Sequence, residues 1–220
     1  MLEYAPHPLL HRAAFTARFP QPFESLETPP EVIDVLAPGA LEATFEPRLG
    51  LDVLPEEDRE ALRQSARNLL RHGGHKPTGR GKPSSEYLVR ASAGDGLPRI
   101  NLGVDCCNAI SLLSGLPISV VDVDRAQAPF RVAVAESGTY VFNESGQEIR
   151  LTGLLCLNDA KGPCANAVKD SHGTKTRPET RRTLTVLWAP ADHAAHAERV
   201  IEAYMSLLTE AGGAEVERLG

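Results

Sequence analysis

Long apolar runs are missing from this chain. No stretch approaches the roughly 18 consecutive apolar residues that a membrane-spanning helix needs, so a soluble domain without membrane partners is expected. The opening residues Met1 to Pro6 have neither the basic patch nor the apolar core of a secretory signal, which points to the cytoplasm. Cysteine is sparse. Cys106 and Cys107 are adjacent, and Cys156 and Cys164 lack Cys-x-x-Cys spacing, so the pattern suggests neither a disulfide framework nor a zinc ribbon, and four reduced thiols are expected. Complete nucleotide and nucleophile motifs are absent too. In Gly79-Arg80-Gly81-Lys82 the first glycine of a phosphate loop is replaced by Lys76, and Pro83 stands where the magnesium-binding hydroxyl belongs, which argues against nucleotide binding. No Gly-x-Ser-x-Gly elbow occurs. The histidine pairs His72/His75 and His193/His196 have no third acidic or thiol ligand beside them, so they read as solvated histidines and no metal or cofactor is expected.

An overall positive charge is also lacking. The net charge of −6 argues against a protein that grips nucleic acid over its whole surface. The cations are nevertheless clustered: between Arg59 and Arg99, nine lysines and arginines stand against only Glu60, Glu86 and Asp95, and Lys169, Lys175, Arg177, Arg181 and Arg182 form a second group. One reading is a solvated helix face. The other is a phosphate-contacting face for an RNA end, with Arg63, Arg67, Arg71 and Lys82 as its contacts.

What is present fits one domain of the α+β class, since 220 residues suffice to bury roughly 70% of the unfolded surface around one core. Residues 1–54 are dense in proline, among them Pro6, Pro8, Pro20, Pro22, Pro29 and Pro30, and read as an N-terminal arm packed on the domain, with one short helix or strand at Val32 to Leu36. Residues 55–220 form the main module. Pro55 followed by three acids starts a helix whose face of Leu62, Ala66, Leu69 and Leu70 runs to the Gly73-Gly74 stop. Ser84 or Ser85 is expected to cap a short helix through Val89. Phe130 to Ala135, Thr139 to Phe142 and Gln147 to Leu151 read as an antiparallel meander, with further strands at Leu154 to Leu157 and Thr183 to Trp188. A helix over residues 192–211 buries Val200, Ile201, Tyr204, Leu207 and Leu208. This order of elements can accommodate mixed sheets with flanking helices.

The most informative run is Ile100 to Arg125. Val104, Cys107, Ile110 and Leu112 recur with helical spacing, Gly115 takes the left-handed stop with Pro117 beyond it, and Ile118 to Val123 read as a strand carrying Asp122 and Asp124. Asp105 and Asn108 project from neighbouring points of one helix face. Asp105 either ties a loop to the helix start or meets a ligand, while Asn108, deeper in the helix, leans toward a ligand. Asp122 either satisfies turn amides, or pairs with Arg125 and Arg131, or serves as a general base. The polar loop from Asp170 to Thr176, containing His172 and Lys175, is a lid, a phosphate clip or a plain surface loop.

This run resembles the editing module of the phenylalanyl-tRNA synthetase beta subunit, in which Val-Asp-x-x-Asn leads through Gly-x-Pro to an Asp-x-Asp-basic strand end. Val104, Asp105, Asn108, Gly115, Pro117, Asp122, Asp124 and Arg125 fall on that pattern. Lys82 to Arg90 and Leu97 to Asn101 resemble the lead-in of free-standing relatives. Asp170, Thr174 to Thr176 and Glu179-Thr180, with the strand Leu184 to Trp188, resemble its closing segment. The resemblance implies that family's fold of mixed sheets with flanking helices, an aminoacyl-tRNA hydrolase activity serving translation fidelity, and tRNA, aminoacyl-tRNA or a free amino acid as partner. By position it nominates Asn101, Cys107, Asn108, Ser119, Thr174 and Thr176 for substrate binding, with Asp122 and Lys175 as catalytic groups. Ser119 stands where bacterial synthetases commonly have histidine, and Thr185, Val186 or Leu187 stands where a glutamate is expected. The alternative is therefore a non-catalytic RNA or amino-acid binding module derived from that domain. Such a second site is needed because an apolar pocket cannot strongly reject an isostere that only adds a hydroxyl.

Overall fold

The computed structural model describes residues 2–41, 48–52 and 54–219. In chain order the elements are β1 Leu2–Tyr4, β2 Leu10–His11, β3 Ala14–Arg18, α1 Pro30–Leu36, α2 Glu56–Arg71, α3 Ser84–Ser92, α4 Leu102–Ser114, β4 Ile118–Asp122, β5 Phe130–Val134, β6 Thr139–Val141, β7 Glu148–Arg150, β8 Leu155–Asp159, β9 Gly162–Asn166, β10 Arg182–Leu187, β11 Ala189–Pro190, α5 Ala194–Gly212 and β12 Glu215–Leu219. The class is α+β, as expected. No helix among the described residues is long and apolar enough to cross a membrane.

One four-stranded sheet has the order β1-β5-β8-β9, the other β12-β3-β10-β4. The second sheet is covered on both faces. Phe15, Ala17, Ile118, Val120 and Leu187 face one core with α1, α4 and α5, while Ala14, Val121, Leu184, Val186 and Trp188 join a second core with Val132, Leu155 and Leu157 of the other sheet. That double burial explains why every residue of β4, Ser119 and Asp122 included, is buried rather than alternate ones only.

Two expectations change. The N-terminal stretch read as a wrapping arm supplies strands to both sheets: β1 pairs in parallel with β5, and β3 lies inside its sheet between β12 and β10. Pro6 and Pro8 sit in the link between β1 and β2, where no ladder bond is lost, and Pro30 opens α1. The meander is interrupted, because β5 pairs with β8 while β6 and β7 form a separate two-stranded hairpin. β9 and β12 were not foreseen. Both are sheet edges, and edges tolerate the Gly162-Pro163 start of one and the charges Glu215, Glu217 and Arg218 of the other.

α3 is present but not capped by serine. Its N-cap is Pro83 without a side-chain bond, and the Ser84 amide instead donates to Ala167 O at 2.8 Å. That bond fastens the start of α3 to the segment that follows β9.

Candidate functional site

α4, β4 and the segment from Asn166 to Thr176 meet in one place. Asn101 caps α4 by accepting from the Val104 amide at 3.0 Å, and its Nδ2 donates to Thr176 Oγ1 at 3.3 Å, so the helix start and the closing segment are joined directly. Gly115 ends the helix at φ 75, and the chain turns back into β4 against it. Asp105 is buried and accepts from Thr28 Oγ1 at 2.7 Å and from the Ile100 amide at 2.9 Å, which makes it the tie between loop and helix.

Ser119 of β4 is 1% exposed and forms the centre of a polar relay. Trp188 Nε1 donates to its Oγ at 2.8 Å, and that hydroxyl donates to Asp170 Oδ1 at 2.6 Å, an oxygen that also accepts from the Asn166 amide at 3.2 Å. Asn166 is locked in turn: its Oδ1 accepts from the Val168 and Lys169 amides and its Nδ2 donates to Tyr140. Burial pushes the Asp170 carboxyl up to about 6, against the opposing pull of the Ser119 and Asn166 bonds and the Lys175 ammonium. The residue is half-buried. A carboxylate at the margin of a site with this protonation range can take a proton from water near neutral pH.

The residues expected to bind substrate are placed unevenly. Cys107 lies in the core under the site, 7% exposed; burial first, and the Asp170 charge second, push its thiol up to about 12, so it packs and does not act as a thiolate. Asn108 is half-buried, and among the described residues its side-chain amide has no hydrogen-bond partner. Thr174 is buried and its hydroxyl donates to Cys164 O at 3.0 Å. Thr176 is half-buried and bonded to Asn101.

Of the two groups read as catalytic, Lys175 is exposed beside the site, its Nζ donating to Phe142 O at 2.7 Å. Asp122 is otherwise. It is 4% exposed, its Oδ2 accepts from Thr180 Oγ1 at 2.6 Å and its Oδ1 from the Asp124 amide at 2.8 Å, so both oxygens are committed to protein groups and the anchoring reading describes it. His172 lies in the same loop, its amide held by Val141 O and its carbonyl by Arg125. The asparagine-to-aspartate spacing Asn166 to Asp170 was the unread signal for the relay, because an Asn that bonds two following amides fixes the carboxylate four residues on.

The expected phosphate face on α2 is largely spoken for. Arg67 forms two 2.6 Å bonds to Glu86 of α3, Arg63 is ion-paired with Glu60, and Arg71 donates to Asn68 Oδ1 at 2.9 Å. These are a helix–helix tie and local surface pairs. Lys82 is exposed. A cleft of about 610 Å³ opens elsewhere, between β3, β10 and β12 with Phe130 at its wall, and it contains none of the expected site residues.

An α+β domain with a carboxylate relay between a helix start, a buried strand and a closing loop defines the class. A family model described as the B3/4 domain matches residues 75–200, so the chain belongs to the B3/4 domain family, a domain found in phenylalanyl-tRNA synthetase beta subunits. Among solved structures it is similar to an N-terminal fragment of the phenylalanyl-tRNA synthetase beta subunit from Pyrococcus horikoshii, at 12% identity and TM-score 0.41 over 54% of this chain. The match spans 43% of that fragment. No curated protein matches.

Proposed function

We propose that this B3/4 domain is an editing-type hydrolase that removes a wrong amino acid from aminoacyl-tRNA. The observation that carries the reading is the half-buried Asp170 carboxylate, raised to about 6 and aimed by Ser119, beside the exposed Lys175 ammonium and on the segment that also touches α4. An aminoacyl ester is already activated, so a positioned water and a nearby cation suffice without a covalent nucleophile. Asp170 takes the proton from that water as it attacks the ester carbonyl carbon. The Lys175 ammonium faces the oxyanion that forms; as it collapses, the bond to the ribose oxygen breaks and Asp170 returns its proton to that oxygen, releasing the amino acid and the free tRNA hydroxyl. Asn108, with its uncommitted amide, orients the amino-acid side chain. The setting for such work is the cytoplasm.

The test offers the protein tyrosyl-tRNA specific for phenylalanine and, separately, the correctly charged phenylalanyl-tRNA, and follows ester loss. Faster loss of the mischarged species, abolished by Asp170→Asn, is expected. Because the Ser119 and Thr174 hydroxyls are both committed to protein groups, a second reading is a binder that holds the amino acid without hydrolysing the ester. It predicts no ester loss together with a raised melting temperature in free tyrosine.

A further inference from the structure

Lys169 and Lys175 meet at Phe142 on the segment that carries Asp170, with Arg80 on a neighbouring turn, and none of the three forms an ion pair among the described residues. Lys169 Nζ stands 3.8 Å from the centroid of the Phe142 ring, and Lys175 Nζ donates to the carbonyl of the same residue at 2.7 Å. Phe142 therefore holds two ammonium groups in place, one on its π face and one on its backbone. Arg80 comes from a different part of the chain. Its turn, Gly79–Gly81, is held by His75 Nε2 at 2.8 Å from Gly81 O and by the Gly81 amide on Thr78 O at 2.9 Å, and the bond from Ser84 to Ala167 brings that turn alongside residue 169. The crowding is felt: the Lys169 ammonium is held below its usual range by burial first, then by Arg80 and Lys175. Like charges held near one another, Lys169 half-buried and Arg80 and Lys175 exposed, are stabilised by an incoming anion. The ordering of the two lysine side chains is already made before anything binds.

We propose that Arg80, Lys169 and Lys175 form a binding site for a phosphate group beside Asp170, in place of the α2 arginines. The chemistry is that of a phosphate ester, carried by an RNA strand or by a small phosphate ester. Its use in positioning an aminoacyl-bearing RNA end rests on the hydrolase reading, whereas phosphate binding itself does not.

The experiment measures binding of a fluorescently labelled single-stranded RNA of about ten nucleotides, and competition by inorganic phosphate, by anisotropy between 50 and 200 mM salt. The double variant Lys169→Gln/Lys175→Gln should bind RNA at least tenfold more weakly, with a log–log salt slope smaller by about 1.4, the value for two lost contacts to a single strand. Lys169→Arg/Lys175→Arg should restore both, and Arg63→Gln/Arg71→Gln should change neither. Phosphate competition that disappears in the glutamine pair while RNA affinity is unchanged would assign the site to small phosphate esters. Unchanged RNA affinity, slope and phosphate competition in a folded glutamine pair would overturn the proposal. Failure of the hydrolase reading gives a different pattern: no ester loss in any protein, with the phosphate results standing.

Discussion

Asp170 gives the sharpest quantitative prediction. Its carboxyl is raised from an ordinary value of 3.8 to about 6 in the folded protein, mainly because burial disfavours the charge. The folded state therefore holds that proton more tightly than the unfolded chain. Below 3.8 both states are protonated and the contribution to stability is full; it is lost as pH rises through the window up to about 6 and is gone above it. A difference of about two pH units corresponds to about 3 kcal/mol. The perturbation is Asp170→Asn, which keeps an acceptor for the Ser119 hydroxyl at the same place. Urea unfolding of both proteins at half-unit steps from pH 4 to 7.5 gives a difference curve in which every other titrating group cancels. Because part of the contribution is already lost at pH 4, the variant should gain on the wild type by about 2.5 kcal/mol between the ends of that range, whatever its constant offset. A flat difference curve would show that the carboxyl is not perturbed, and the general-base assignment would go with it.

Two further outcomes follow from packing. In Gly103→Ala the new methyl would meet the Phe23 ring at 2.4 Å, and Phe23 is fully buried with Phe19 edge-on at 4.8 Å, so the ring has little freedom to move. The overpacking cost of about 1–3 kcal/mol should outweigh the helix-propensity gain of about 1 kcal/mol, seen as a lower urea midpoint. The four cysteines are all buried and all free, and burial is the first cause that raises each thiol. Native protein at pH 8 should resist an aromatic disulfide reagent and release four equivalents only after unfolding, and Cys107→Ala should retain hydrolysis. Rapid labelling of Cys107 in the native state would contradict its place in the core.

Local patterns along the chain were enough to determine α2, α4 and α5, the Gly115 stop and the strands β4, β5 and β10, because each carries its periodicity or its stop signal within a few residues. They also brought Asn101, Ser119 and the loop from Asp170 to Thr176 to one neighbourhood through the family pattern. Strand partnership was beyond them: β3 is interior only because β12, nearly two hundred residues later, closes over it, and edge strands such as β9 carry no strong local signal. The state of each polar group was equally hidden. Asp122 and Asp170 look alike as letters, yet one spends its oxygens on the Asp124 amide and the distant Thr180 hydroxyl and the other is left half-buried and protonatable, because that depends on which amides and hydroxyls the fold delivers to each carboxylate. The arginines of α2 and the cations around Phe142 differ for the same reason, since pairing with Glu60 and Glu86 is decided by packing in three dimensions and not by the number of basic residues in a stretch.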